Sequence, residues 1–150
     1  MPLVELTLRL LLAAGLGAAI GLEREFRRKP AGLRTNILIA VGSALFTMLS
    51  IVFAHSGGTA DRIAAQIVTG VGFLGAGAIL RSGETIHGMT TAATIWVNAA
   101  IGVGAGAGEY AMSSVATLIT LVVLAALAPL EKYFERRAGF TDPPQRPPAS

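Results

Sequence analysis

The sequence predicts an all-α integral membrane protein, a bundle of five transmembrane helices with its N-terminus outside and its C-terminus in the cytoplasm. Three observations lead there. First, 53% of the 150 residues are hydrophobic and only 14% charged, whereas about a quarter of an ordinary soluble domain is charged. Second, Ile63 to Leu80 is an uncharged run of 18 residues between Asp61-Arg62 and Arg81, long enough to cross a ~30 Å hydrocarbon core as a helix. Third, the orientation places ten of the twelve Lys and Arg residues on the cytoplasmic side and leaves only Arg9 and Arg62 outside, as the positive-inside rule requires.

The first span covers about residues 3–22. Its start, M-P-L-V-E, lacks the basic flank of a secretory signal, and no A-x-A site follows, so the segment is expected to remain as a span. Glu5 and Arg9 stand four apart, so they either pair on one helical face or leave Arg9 to reach the headgroups alone. Gly17 and Gly21 form G-x-x-x-G, a pattern of close helix contact. A basic loop follows, with Arg24, Arg27, Arg28, Lys29 and Arg34, which also suits anionic lipid. The second span covers about 35–54, opening with Thr35 and Asn36, and His55 to Arg62 forms a turn.

The third span, about 63–80, contains Gly70, Gly72, Gly75 and Gly77. Gly70, Gly72 and Gly75 match the dinucleotide fingerprint G-x-G-x-x-G, but the strand before it and the acidic residue about 20 positions on are missing. On a helix, Ala65, Thr69, Gly72 and Ala76 instead make one face of small side chains, expected to pack against other helices. Arg81 to His87 reads as a short polar loop.

In the fourth span, about 88–108, His87, Thr91, Thr94, Asn98 and Gly102 recur along one side. Asn98 is expected to bridge helices rather than line a permeation path, and Trp96, too deep for an interfacial anchor, to fill the bundle interior. Gly102 to Gly108 suits either a turn-rich end or a tightly packed helix. The fifth span, about 110–130, sets Ser113, Thr117 and Thr120 on one face. The spans thus form one domain, 1–133, followed by a proline-rich cytoplasmic tail, 134–150, expected to be disordered.

Chemistry is sparse. Without cysteine there is no disulfide, thiolate metal site or thiol nucleophile. There is no H-E-x-x-H, P-loop or Ser/His/Asp order, so no enzyme, cofactor or nucleic-acid partner is expected. An ionisable residue at membrane depth calls for a partner. Asp61 either joins Glu5 or Glu109 in an outer-side Mg²⁺ site or, the preferred reading, caps the third helix and pairs with Arg9 or Arg62.

Four segments together resemble the N-terminal membrane domain of the MgtC/SapB family. They are G-L-E-R-E-F-R-R-K-P-A-G-L-R-T from Gly21, G-S-A-L-F from Gly42, the stretch Asp61 to Arg81, and G-M-T-T-A-A-T-I-W from Gly88. The resemblance implies a bacterial inner-membrane protein linked to magnesium limitation and virulence. It further implies a modulator of other membrane machinery, the F-type ATP synthase included, rather than an established magnesium transporter. Family-like positions are Glu23, Arg24, Glu25, Arg34, Asp61, Arg62, Gln66, Arg81, Thr90 and Thr91. Better-known members continue into a cytoplasmic ACT-like domain, so regulation by such a domain is expected to be absent or supplied by another chain. The leading expectation is a non-enzymatic modulator that forms a homodimer through its glycine faces. The alternative is a cation transporter or channel with a path through Asp61, Gln66, Thr94 and Asn98.

Overall fold

The computed structural model describes residues 1–54, 61–82 and 85–137, with the side chains of 61, 62, 64, 82 and 128–137 outside the description. Five helices follow in order: α1 Leu3–Phe26, α2 Leu33–Ala54, α3 Asp61–Gly77, α4 Met89–Ala107 and α5 Tyr110–Arg137. Between α3 and α4 the expected polar loop is instead an antiparallel hairpin, β1 Leu80–Ser82 and β2 Thr85–His87, in register Leu80↔His87 and Arg81↔Ile86. α3 therefore ends three residues before the apolar run does. The fifth helix continues to Arg137; the remaining tail, the turn at 55–60 and His55 lie outside the described residues.

Among the described residues, three helices are long and apolar enough to cross a membrane: Leu3–Phe26, Leu33–Ala54 and Tyr110–Leu127. α4 touches each of the other four helices. Its sequence reflects that place, because Gly, Ala and Thr suit a helix surrounded by protein better than one surrounded by lipid. Gly106 is seated so closely on α2 that a Cβ there would lie 2.5 Å from the Ala44 carbonyl oxygen, and Gly102 meets Ala40 in the same way one turn earlier. On α1, Cβ atoms at Gly17 and Gly21 would lie 2.7 Å from the Asn36 carbonyl oxygen and from Leu33 Cα. α4 ends at Gly108 in the left-handed conformation, φ 90°. The glycine-rich end of α4 is thus a packed helix face at 102 and 106 and a helix stop at 108.

The core reflects these close approaches. Ala13, Ala40, Ala44 and Ala105 form one cluster, Ile67, Val71, Ile95 and Ala99 a second, and Ile20, Ile101 and Leu124 a third. Large apolar side chains such as Leu11, Leu38, Phe46, Phe73, Leu118 and Val122 face outward, the arrangement of a protein whose surroundings are hydrocarbon. Trp96, expected in the interior, is 51% exposed. The interior positions of α4 are occupied by smaller residues on its polar and glycine side, so the indole lies on the opposite face.

The connection between α1 and α2 is closely determined. Lys29 N–H bonds the Arg24 carbonyl at 2.9 Å and Arg28 N–H the Glu25 carbonyl at 3.0 Å, the two bonds of a Schellman helix end. That motif puts its C′ residue in the left-handed region, where glycine is usual, yet the residue is Arg28 at φ 53°. Ala31 follows at φ 56°. Each costs about 1 kcal/mol relative to glycine.

Candidate functional site

The polar residues of the bundle gather where α1, α2 and α4 meet. Arg24, in the last turn of α1, is 4% exposed and its Nη2 donates to Thr91 Oγ1 at 2.8 Å in the first turn of α4. A buried guanidinium needs such an acceptor, because leaving its donors dry and unpaired is costly. The preceding residue, Glu23, faces Arg27 Nε one turn further on at 2.5 Å, and Arg27 Nη2 donates to the Ala125 carbonyl of α5 at 3.1 Å. Glu25 Oε2 accepts from the first N–H of α2, at Leu33, at 3.2 Å, a helix end that its charge also favours. Gly32 leaves the space for that carboxylate.

Asn36 and Asn98, both fully buried, continue the network. Asn36 Nδ2 closes the loop by donating to the Ala31 and Gly32 carbonyls at 2.5 and 3.0 Å. Asn98 Nδ2 donates to the Asn36 carbonyl at 2.7 Å. Among the described residues, the side-chain carbonyls of Asn36 and Asn98 and the Nε of Arg24 are buried without a hydrogen-bond partner. At the other end of the bundle, Arg9 pairs with Glu5 and its Nη1 donates to the Gly106 carbonyl at 2.6 Å. That carbonyl is one of the last four of α4, which have no intrahelical donor, and a cation suits the negative end of the helix dipole. Because the end of α1 meets the start of α4 and the start of α1 meets its end, the two helices run antiparallel.

Two grooves open between helices. One, of about 450 Å³ between α2 and α3, is lined by Gln66 with Ile39, Gly42, Ile67 and Gly70 among others. The other, of about 420 Å³ between α4 and α5, is lined by Thr90, Thr94, Ala116 and Thr120. α3 packs within the protomer through Ile67, Val71 and Gly75, the last against Ala92. The small-residue face expected to pack, Ala65, Thr69, Gly72 and Ala76, is instead exposed, and a Cβ at Gly70, Gly72 or Gly77 would meet nothing within 4 Å.

Of the residues singled out in the sequence, Glu23, Arg24, Glu25, Thr91 and Asn98 come together at or near one joint. Arg34, Gln66, Arg81, His87 and Thr90 are exposed, Arg81 opposite Ile86 in the hairpin. The side chains of Asp61 and Arg62 lie outside the described residues. Glu5, a candidate metal ligand, is engaged by Arg9, and Glu109 is exposed. Among the described residues no three His, Cys, Asp or Glu side chains form a metal-binding group. Asn36 is the functional-looking residue that sequence reasoning passed over. The one available signal was an amide in the first turn of an otherwise apolar helix.

Residues 10–133 match the model of the MgtC family. The chain is 50% identical over 127 residues to the YhiD protein of Escherichia coli (strain K12), covering 80% of this chain and 59% of that one. It is 50% identical over 124 residues to Protein MgtC of Brucella abortus (strain 2308), with 82% and 51% covered, and 51% identical over 114 residues to Protein MgtC of Salmonella typhimurium (strain 14028s / SGSC 2262), with 76% and 48% covered. The chain therefore spans about half the length of these curated relatives. No solved structure matches it. With a family model covering most of the chain and relatives at half identity, this membrane protein belongs to the MgtC family.

Proposed function

We propose that the chain is a non-enzymatic adapter of a bacterial inner membrane. In this reading it has five spans, N-terminus outside and C-terminus cytoplasmic, and its open helix faces dock on other membrane proteins. A second copy of the chain is one such partner, through the glycine face of α3. A larger complex of the F-type ATP synthase kind, as the family resemblance implies, is another, as is the link to magnesium limitation and virulence.

One observation carries this reading over a conduit. Gln66 and Thr94, two residues of the conceivable cation path, border two different grooves on different helix pairs, while Asn98 is fully buried and bonded to the backbone of α2. Of these three, Asn98 ties α4 to α2, Thr94 bonds the Thr90 carbonyl of its own helix, and Gln66 borders a separate groove, which supports an adapter more than a shared passage. The competing reading has its own support, since the name of the E. coli YhiD relative refers provisionally to magnesium transport.

Proteoliposomes separate the two. The adapter reading expects no Mg²⁺ uptake above that of empty vesicles, together with recovery of a defined membrane partner after cross-linking in native membranes. Mg²⁺ uptake that is abolished by Asp61→Ala would overturn it.

A further inference from the structure

The twelve residues Glu23 to Arg34 hold five cations and two carboxylates, and the fold divides the cations into two sets. Arg24, buried, and Arg27, at the surface, are engaged by groups of the chain itself, on Thr91 and on Glu23 and the Ala125 carbonyl. Arg28, Lys29 and Arg34 are exposed, and among the described residues the side chain of none of the three has an ion-pair or hydrogen-bond partner.

Two of these three occupy positions that local physics disfavours. Arg28 stands in the left-handed position where glycine would be unstrained. Arg34 lies in the first turn of α2, at the positive end of the helix dipole. Departures from local preference that cluster in one loop point to a compensating interaction from outside the chain. Its chemistry is set by the neighbour. Phe26, the last residue of α1, is 83% exposed, a position that is favourable in hydrocarbon and unfavourable in water. The loop therefore begins at the edge of the hydrocarbon, and Arg28 and Lys29, two and three residues further along, lie at the depth of headgroup phosphates. Arg34 is brought to the same level, since neighbouring Leu33 donates its N–H to Glu25 in the last turn of α1.

We propose that Arg28, Lys29 and Arg34 form a docking surface for an anionic phospholipid, with its headgroup phosphate on the three cations and its acyl chain beside Phe26. This requires only that the bundle sit in a bilayer, so it holds for an adapter and for a conduit alike. Each Lys or Arg near an anionic lipid surface is worth about 1 kcal/mol, roughly fivefold in affinity, so three together give about a hundredfold.

The test titrates the full chain, purified in neutral detergent, with phosphatidylglycerol or with phosphatidylcholine of the same acyl chains, and reads bound lipid by native mass spectrometry. Wild type is expected to retain phosphatidylglycerol in preference to phosphatidylcholine. The triple variant R28Q/K29Q/R34Q is expected to lose about a hundredfold in phosphatidylglycerol affinity. R28G keeps the fold, since it removes the backbone strain, and is expected to raise Tm while lowering that affinity about fivefold. Equal affinity of wild type for both lipids overturns the proposal, as does undiminished phosphatidylglycerol binding by the triple variant. Wild type that ignores phosphatidylglycerol but captures a polyglutamate peptide assigns the cations to an acidic protein segment, and overturns it as well.

Discussion

Replacing Gly106 by alanine adds one methyl group where α4 touches α2. The new Cβ would stand 2.5 Å from the Ala44 carbonyl oxygen, 2.8 Å from Ala44 Cα and 3.0 Å from its carbonyl carbon. All three obstacles are backbone, so no side chain can turn aside and the helices must separate by roughly 1 Å. A gap of that size forfeits a quarter to a half of the dispersion energy along the contact, and overpacking of this kind costs about 1–3 kcal/mol. The same movement draws the Gly106 carbonyl away from Arg9 Nη1, now 2.6 Å distant, and an interhelical hydrogen bond in a membrane protein averages about 0.6 kcal/mol. Against this, alanine is favoured over glycine in a helix by up to about 1 kcal/mol. Taking the upper end of the overpacking range, because the obstacle is rigid, gives a net loss of about 2.5 kcal/mol. Reversible unfolding in mixed micelles, followed by far-UV circular dichroism, measures it. Gly72→Ala is the comparison, since nothing lies within 4 Å of that site, and it is expected to be neutral or stabilising. A Gly106→Ala protein as stable as wild type, or a Gly72→Ala protein equally weakened, would refute the packing argument.

The remaining predictions concern the polar joint and the open face. Thr91→Val keeps the shape but removes the acceptor of Arg24 Nη2; it should cost about 1–3 kcal/mol in the same unfolding assay, and Thr91→Ser should restore most of it. Asn98→Leu removes one interhelical hydrogen bond together with a buried carbonyl that has no partner among the described residues, so its net effect should stay within about 1 kcal/mol; a larger loss would mean that the carbonyl is bonded. The chain has no cysteine, so Thr69→Cys on the open face of α3 should give an intermolecular disulfide when membranes are oxidised, and Ile67→Cys, 8% exposed, should not. Equal cross-linking at both sites would rule out docking through that face.

The helices were legible because long uncharged runs between charge clusters leave few alternatives. The polar side of α4 was legible too: three- and four-residue spacing identified Thr91, Thr94 and Asn98, all of them buried. The facing of α3 was not. Lipid is as apolar as a protein core, so hydrophobicity does not separate inside from outside in a membrane helix, and a small-residue face fits a neighbour in the same chain or in another one. The same ambiguity misplaced Trp96. Asn36 escaped notice because its partner Asn98 is 62 residues away. The hairpin escaped because three-residue strands are shorter than any periodicity that could reveal them.

The bonds that hold α1 against α4 also constrain the order in which the protein assembles. Arg9 reaches a carbonyl 97 positions later and Arg24 a hydroxyl 67 positions later, so when α1 emerges from the ribosome neither acceptor has yet been synthesised. Glu5, one helical turn before Arg9, gives the first arginine an oppositely charged companion during that interval. Arg24 has Glu23 beside it, already shared with Arg27. α1 therefore waits at the membrane with a carboxylate beside each of its two arginines, and the bundle closes only once α4 has been delivered.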